Sequence, residues 1–301
     1  MSNIYEEHLR VTVDETNMYR VMRTSTVFEL MQQISIRQME EFGIGRDKTL
    51  DKGLLWVILR QWAVIERLPE YDEQVTLRSW PGDMMHVIFP RHYEMVSAQG
   101  ETLLRAQALW MLIDQNTRRH IFPDEYGIGV QGLVTGRELP PIPSIVTPGV
   151  KADKISETSG AAEKTEQNRE RKLSSSEPGR DLNRPGDKTD LNEDDTDRKG
   201  ESPKEFDIPI PYSMVDLNGH LNNTHYFDLA EDHSARAQSG IPLKEVQIEY
   251  LSEAKYGSTL HMKLETEGQA DYFTATIGEK NCFRLKMTYD EFMTGRETNR
   301  K

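Results

Sequence analysis

The chain has 301 residues, 36% of them hydrophobic and 29% charged, with a formal net charge of −13; that length corresponds to about two domains, and the acidity excludes a nucleic-acid partner, which would reward clustered Lys and Arg. No apolar run reaches the length of a membrane span, and the single cysteine, Cys282, excludes an intrachain disulfide framework and any CxxC metal site. The opening MSNIYEEHLRVTVDE carries acidic residues where a signal or transit peptide needs basic or apolar ones, so the expected location is cytoplasmic.

The first predicted element is a strand in YEEHLRVTV. A helix follows, because Val27, Leu30, Met31 and Ile34 recur at three- and four-residue spacing and form one apolar face. Thr24, Ser25 and Thr26 are candidate N-caps, and Gly43 supplies a left-handed stop. Strands are then predicted in LLWVILRQWAVI, QVTLRSWP, MHVIFPRHYEMVS and ETLLRAQALWMLID, which suggests an antiparallel meander. Residues 151–205 contain no aromatic, Val or Met and cannot build a core, so 141–205 is expected to be a charged, solvated and disordered linker. After it the order repeats: a strand in FDIPIPYS, a helix from about Asn222 to Gln238 stopped by Gly240 and Pro242, and strands around VQIEYL, TLHMKLET, YFTATIG and CFRLKMTY.

Two stretches with the same plan, 1–140 and 206–301, read as an internal duplication, with VFELMQQ echoed by YFDLAED. The expected fold class is α+β: a tandem or double hot-dog, each unit a long helix packed on a curved antiparallel sheet.

The densest reactive cluster is DLNGHLNN, with Asp216, Asn218 and His220. In an extended segment these three side chains share one face, since direction alternates with a period of two. Asn222 or Asn223 is placed to cap the following helix. A carboxylate, an amide and an imidazole are parts suited to hydrolysis of an activated acyl group, although Asp and Asn here equally suit a turn. The stretch MVDLNGHLNNTHYFDLAED resembles the signature of the fatty acyl-acyl carrier protein thioesterases, the plant plastid enzymes and their bacterial relatives. GLLWVILRQWAVIERLPEYDEQVTLRSWPGDM and ALWMLIDQNTRRHIFPDE resemble the first unit of the same family. A Tyr-x-x-Glu-Cys segment of that family is matched by Tyr250, Leu251, Ser252, Glu253 and Ala254, so the glutamate is kept and the cysteine is not.

The resemblance implies hydrolysis of fatty acyl-acyl carrier protein to free fatty acid and carrier, with Asp216, Asn218, His220 and Glu253 as catalytic residues, no cofactor and no metal. With Ala254 in the cysteine position, the implied chemistry is carboxylate-imidazole, and Cys282 reads as a small strand residue. Aligning Phe28 with Phe227 sets Asn17, Tyr19 and Val21 against Asp216, Asn218 and His220, which gives one site per chain. The resemblance further implies an acyl-chain pocket in the first unit, with Met22, Met31 and Trp56 as candidate walls; each is also a plausible core residue. Because the chain is acidic, docking of an acidic acyl carrier protein has to use a local basic patch, for which Arg118 and Arg119 are the candidates. An acyl-CoA thioesterase and a non-catalytic acyl- or carrier-binding module are the alternatives.

Overall fold

The β-branched and aromatic run LLWVILRQWAVI and the alternating QVTLRSWP form strands over those same residues, Leu54–Ile65 (β2) and Gln74–Pro81 (β3), in a computed structural model that describes residues 4–128, 139–145, 147–148 and 202–291. The other strands of the first half are Tyr5–Arg10 (β1), Ile88–Ser97 (β4) and Thr102–Asp114 (β5). The second half contributes Lys204–Pro209 (β6), Leu243–Tyr250 (β7), Thr259–Glu267 (β8), Ala270–Ile277 (β9) and Lys280–Tyr289 (β10). β6 takes in two residues at the end of the 141–205 segment; residues 149–201 of that segment lie outside the described residues.

Among the described residues the ten strands form one antiparallel sheet in the order β1-β3-β4-β5-β2-β7-β10-β9-β8-β6. The order is a palindrome of the two repeats, meeting where β2 pairs with β7 from Arg60↔Glu249 to Val64↔Glu245. The simple meander expected for β2 to β5 is therefore corrected: only β3-β4-β5 are sequential neighbours, and β2 lies beyond β5. β2 thereby offers one edge to β5 and the other to β7, which leaves no open sheet edge between the repeats.

The first helix, Thr24–Glu41 (α1), packs Val27, Phe28, Met31 and Ile34 into a core that also holds Ala63, Leu77, Tyr93, Ala106 and Ala108. Its N-cap is Arg23, one residue before the predicted trio, because Thr24 already has helical geometry and its hydroxyl is used elsewhere. Gly43 has φ +70 just past the helix, as the stop signal predicts. The core is not wholly apolar: Arg91 on β4 donates to Gln38 Oε1 on α1 at 2.6 Å and to Ser79 Oγ on β3 at 2.9 Å. The second helical run is shorter than predicted, breaking into His225–Glu231 (α2) and Ala235–Gln238 (α3). The break falls at Ser234, whose hydroxyl caps α3 by accepting the Ala237 amide and also donates to Asp271.

The helices of the two repeats meet on the symmetry line, where Phe28 and Phe227 stack with centroids 4.2 Å apart. Beside them the Thr24 hydroxyl donates to Glu231 Oε1 at 2.5 Å. Glu231 sits at the C-terminal end of α2, and burial first of all, with Asp228 and Asp232 adding repulsion, pushes its carboxyl up to about 7. A carboxyl that binds its proton more tightly when folded contributes fully below the unfolded value near 4.5, and the contribution is lost as pH rises through about 7. Glu231→Gln is accordingly expected to flatten the stability-pH curve over that interval and to stabilise the protein above pH 8 by roughly 1–2 kcal/mol. Urea unfolding of both proteins at a series of pH values checks this.

Candidate active site

Each repeat places a tight turn between its first strand and its helix. In the second repeat Asp216 opens the turn: its Oδ1 accepts the amides of Asn218 at 2.8 Å and His220 at 3.1 Å, and its Oδ2 lies 3.3 Å from Asn218 Nδ2. Gly219 has φ +78, and the Asp216 amide donates to the His220 carbonyl at 2.8 Å to close the loop. The expectation of an extended segment with Asp216, Asn218 and His220 on one face is thus corrected, since aspartate bonding to its own loop and a left-handed glycine curl the chain. The helix cap is corrected too: Thr224 is the N-cap, and Asn222 Oδ1 instead accepts the Thr224 amide at 3.0 Å.

The turn still delivers His220 to Glu253. The Leu221 amide donates to the Ala254 carbonyl at 2.7 Å, and the Tyr256 amide donates to the Gly219 carbonyl at 3.0 Å. These bonds dock the loop on the segment after β7 and leave His220 Nε2 3.3 Å from Glu253 Oε2. His220 is mostly buried and Glu253 half-exposed, with side-chain exposures of 14% and 41%. The structure therefore brings Asp216, Asn218, His220 and Glu253 together. It also adds a contact that nothing in the local sequence signals: Arg118 Nη2 is 2.9 Å from Glu253 Oε1. The partners are 135 residues apart in the chain. Arg119 shares the exposed turn of Arg118.

Tyr226, on α2 after the turn, belongs to the main core. It is buried with its ring 4.8 Å from Phe283 and 5.5 Å from Tyr250. Burial above all, then the neighbouring Cys282, Asp216 and Glu253, pushes its phenol pKa up, so it stays protonated. The Tyr250 hydroxyl lies 2.8 Å from Gln61 Oε1 and 2.9 Å from the Asn223 carbonyl, tying the turn to β2.

The equivalent turn of the first repeat has the same backbone and none of the chemistry. Asn17 Oδ1 accepts the amides of Tyr19 at 2.9 Å and Val21 at 3.4 Å, and Arg20 takes the left-handed place of Gly219 with φ +62. The Met22 amide donates to the Pro69 carbonyl as Leu221 does to Ala254, which sets Leu68 opposite Glu253 and Val21 opposite His220. Met22 and Met31 are fully buried in the main core, while Trp56 is half-buried against a second cluster around Ile44, Leu54 and Phe89. The three do not share one wall.

The family models for the acyl-ACP thioesterase N-terminal domain and C-terminal domain match residues 2–126 and 197–291, more than half of the chain between them. The chain belongs to the acyl-ACP thioesterase family. The N-terminal match takes in Arg118 and the C-terminal match takes in Asp216, Asn218, His220 and Glu253. A palmitoyl-acyl carrier protein thioesterase of Arabidopsis thaliana is 23% identical over 304 residues, covering 97% of this chain and 63% of its own length. An oleoyl-acyl carrier protein thioesterase 2 of the same plant is 25% identical over 122 residues, which is 38% of this chain and 33% of that one. The chain thus spans less than two thirds of these curated relatives. Among solved structures, an acyl-ACP thioesterase from Bacteroides thetaiotaomicron has a TM-score of 0.68 at 13% identity, covering 96% of this chain and 98% of that one. The 12:0-ACP thioesterase from Umbellularia californica has a TM-score of 0.66 at 18% identity, with coverages of 96% and 98%. These likenesses establish the fold, a double hot-dog.

Cys282 lies on β10, buried, with its sulfur 3.7 Å from Ser252 Oγ and 3.8 Å from the Lys280 carbonyl. Burial pushes its thiol pKa up, which lowers the thiolate fraction at neutral pH. In the folded protein Cys282 is expected to react with a maleimide at least about 10²-fold more slowly than in the unfolded chain, as a time course followed by mass would show.

Proposed function

We propose that this acyl-ACP thioesterase family member hydrolyses fatty acyl-acyl carrier protein to free fatty acid and carrier protein, using His220 as general base. The observation that carries the reading is the His220–Glu253 pair at 3.3 Å, built on residues that match the family's site and lying beside the Asp216 turn. With Nε2 directed at Glu253, Nδ1 remains to take a proton from water as its oxygen attacks the thioester carbonyl carbon. The carbon–sulfur bond then breaks, and the same proton passes to the leaving sulfur. Glu253 holds the imidazole and offsets the positive charge it acquires. Asp216 sets the shape of the turn, and Asn218, exposed at its tip, is placed to orient the thioester.

The first repeat would hold the acyl chain. Met22, just before α1, and Met31, on it, are buried in the main core, and flexible thioether side chains suit a wall that must part for an alkyl chain. Trp56 would act from the neighbouring cluster. The carrier would dock on the exposed turn of Arg118 and Arg119, where local cations attract an acidic partner despite the overall charge of −13. Action in the cytoplasm fits a chain with one cysteine and no disulfide framework. Among the described residues no helix is long and apolar enough to cross a membrane.

His220→Ala is expected to lower kcat on an acyl-carrier thioester by at least about 10²-fold while the protein stays folded, and Cys282→Ala to leave kcat within about twofold. Steady-state hydrolysis with circular dichroism as the folding control checks both. An unimpaired His220→Ala enzyme would contradict the proposed base, and a collapse in Cys282→Ala would restore a thiol mechanism. Arg119→Glu should raise KM for the carrier-linked substrate several-fold and leave a short carrier-free thioester unaffected; equal effects on the two would remove Arg119 from the docking surface.

A further inference from the structure

We infer that Arg118 is a positioning residue of the active site: its guanidinium, delivered from the first repeat, fixes the Glu253 carboxylate against His220. The inference rests on the thioesterase reading above and adds to it a dependence of the second repeat's chemistry on a side chain of the first.

Sheet topology creates the meeting. β5 and β7 are both antiparallel to β2, which lies between them, so they run parallel to each other and their C-terminal ends emerge on the same side. Arg118 follows β5 by four residues and Glu253 follows β7 by three. Nη2 of Arg118 spans the carboxylate, 2.9 Å from Oε1 and 3.1 Å from Oε2, and Oε2 is the oxygen 3.3 Å from His220 Nε2. One carboxylate therefore receives a cation and an imidazole at once, and the cation limits its rotation.

The turn that carries Arg118 is built to hold it. Asp114 Oδ1 accepts the amides of Asn116 at 3.0 Å and Thr117 at 2.7 Å, and the Arg118 amide donates to the Asp114 carbonyl at 2.9 Å. Arg118 itself has φ +58, a left-handed conformation that an arginine adopts only at a cost in strain. A half-exposed ion pair does little for stability, so strain at this position is not explained by the pair as a structural tether. Restricting a catalytic carboxylate is a different benefit, because small misplacements of reacting groups are costly in rate. In the first repeat the corresponding positions are Val21 and Leu68, which leave a cation nothing to position.

The test uses the full chain with two substrates, an acyl-carrier thioester and a short acyl thioester of N-acetylcysteamine, and the variants Arg118→Asn, Arg118→Lys, Glu253→Gln and the Arg118→Asn/Glu253→Gln double. Asn removes the guanidinium and tolerates the left-handed conformation, so the melting temperature should be unchanged or higher. With the carrier-free substrate, Arg118→Asn should lower kcat about 10-fold or more with KM within about twofold, and Arg118→Lys should recover part of the loss. In the Glu253→Gln background Arg118→Asn should cost nothing further, because it acts through that carboxylate. A loss confined to KM for the carrier-linked substrate would make Arg118 a docking residue only and overturn the inference. Losses that multiply in the double variant, or a fall in melting temperature that parallels the fall in kcat, would overturn it as well. If the wild-type protein hydrolyses neither thioester, the thioesterase reading fails and the inference falls with it; an active wild type with an insensitive Arg118 removes the inference alone.

Discussion

The pairing of β2 with β7 is the constraint from which the rest of the structure follows. Five register pairs, Arg60↔Glu249 to Val64↔Glu245, join two five-stranded halves into one sheet and fix their relative direction. The seam is reinforced on its polar side, where Trp62 Nε1 donates to Glu245 at 2.8 Å and Arg60 reaches the buried Glu249 at 3.3 Å. Once β2 lies between β5 and β7, the loops after those two strands share one end of the sheet, and Arg118, Glu253 and His220 are brought within contact distance. Phe28 on Phe227 then registers the helices over the same seam.

The two repeats carry equivalent turns, whose backbones are alike while their chemistry differs. Asn17 closes the first turn and Asp216 the second, with the same pattern of side-chain bonds to loop amides. What differs is the cargo. Val21 and Leu68 stand where His220 and Glu253 stand, and Tyr19, opposite Asn218, uses its hydroxyl to bond the Gln238 carbonyl at 2.5 Å. Gly240 keeps room for that ring: a Cβ there would come within 2.6 Å of Tyr19 Cε1. The first turn has become packing against the end of the second repeat's helical segment, and the second turn has become the candidate site.

Much of this was legible in the sequence. The strand-forming composition of LLWVILRQWAVI and QVTLRSWP marked β2 and β3 to the residue, and the order of elements in the two stretches anticipated the palindromic strand order. Aligning Phe28 with Phe227 paired the two turns as the backbone bonds pair them. The failures have physical causes. Asp216, Asn218 and His220 alternate as a strand would, but Asp216 has its own loop amides within reach and Gly219 accepts positive φ, so a turn forms. The second helix ends early because Ser234 has a better use as the cap of α3 and a partner of Asp271 than as a helical residue. Arg118 read as a solvent-facing cation because its partner lies in the other repeat, and only strand order brings the two together.

The proposed thioester site, one per chain, lies on the turn of the second repeat and is supported by the first. A crystal structure with a non-hydrolysable acyl-carrier amide analogue tests it most directly. The amide carbonyl is expected beside His220 and Glu253, with Arg118 still on the carboxylate and the alkyl chain entering the first repeat past α1. An analogue bound at the Asn17–Val21 turn, or one seated with its carbonyl away from His220, would contradict it.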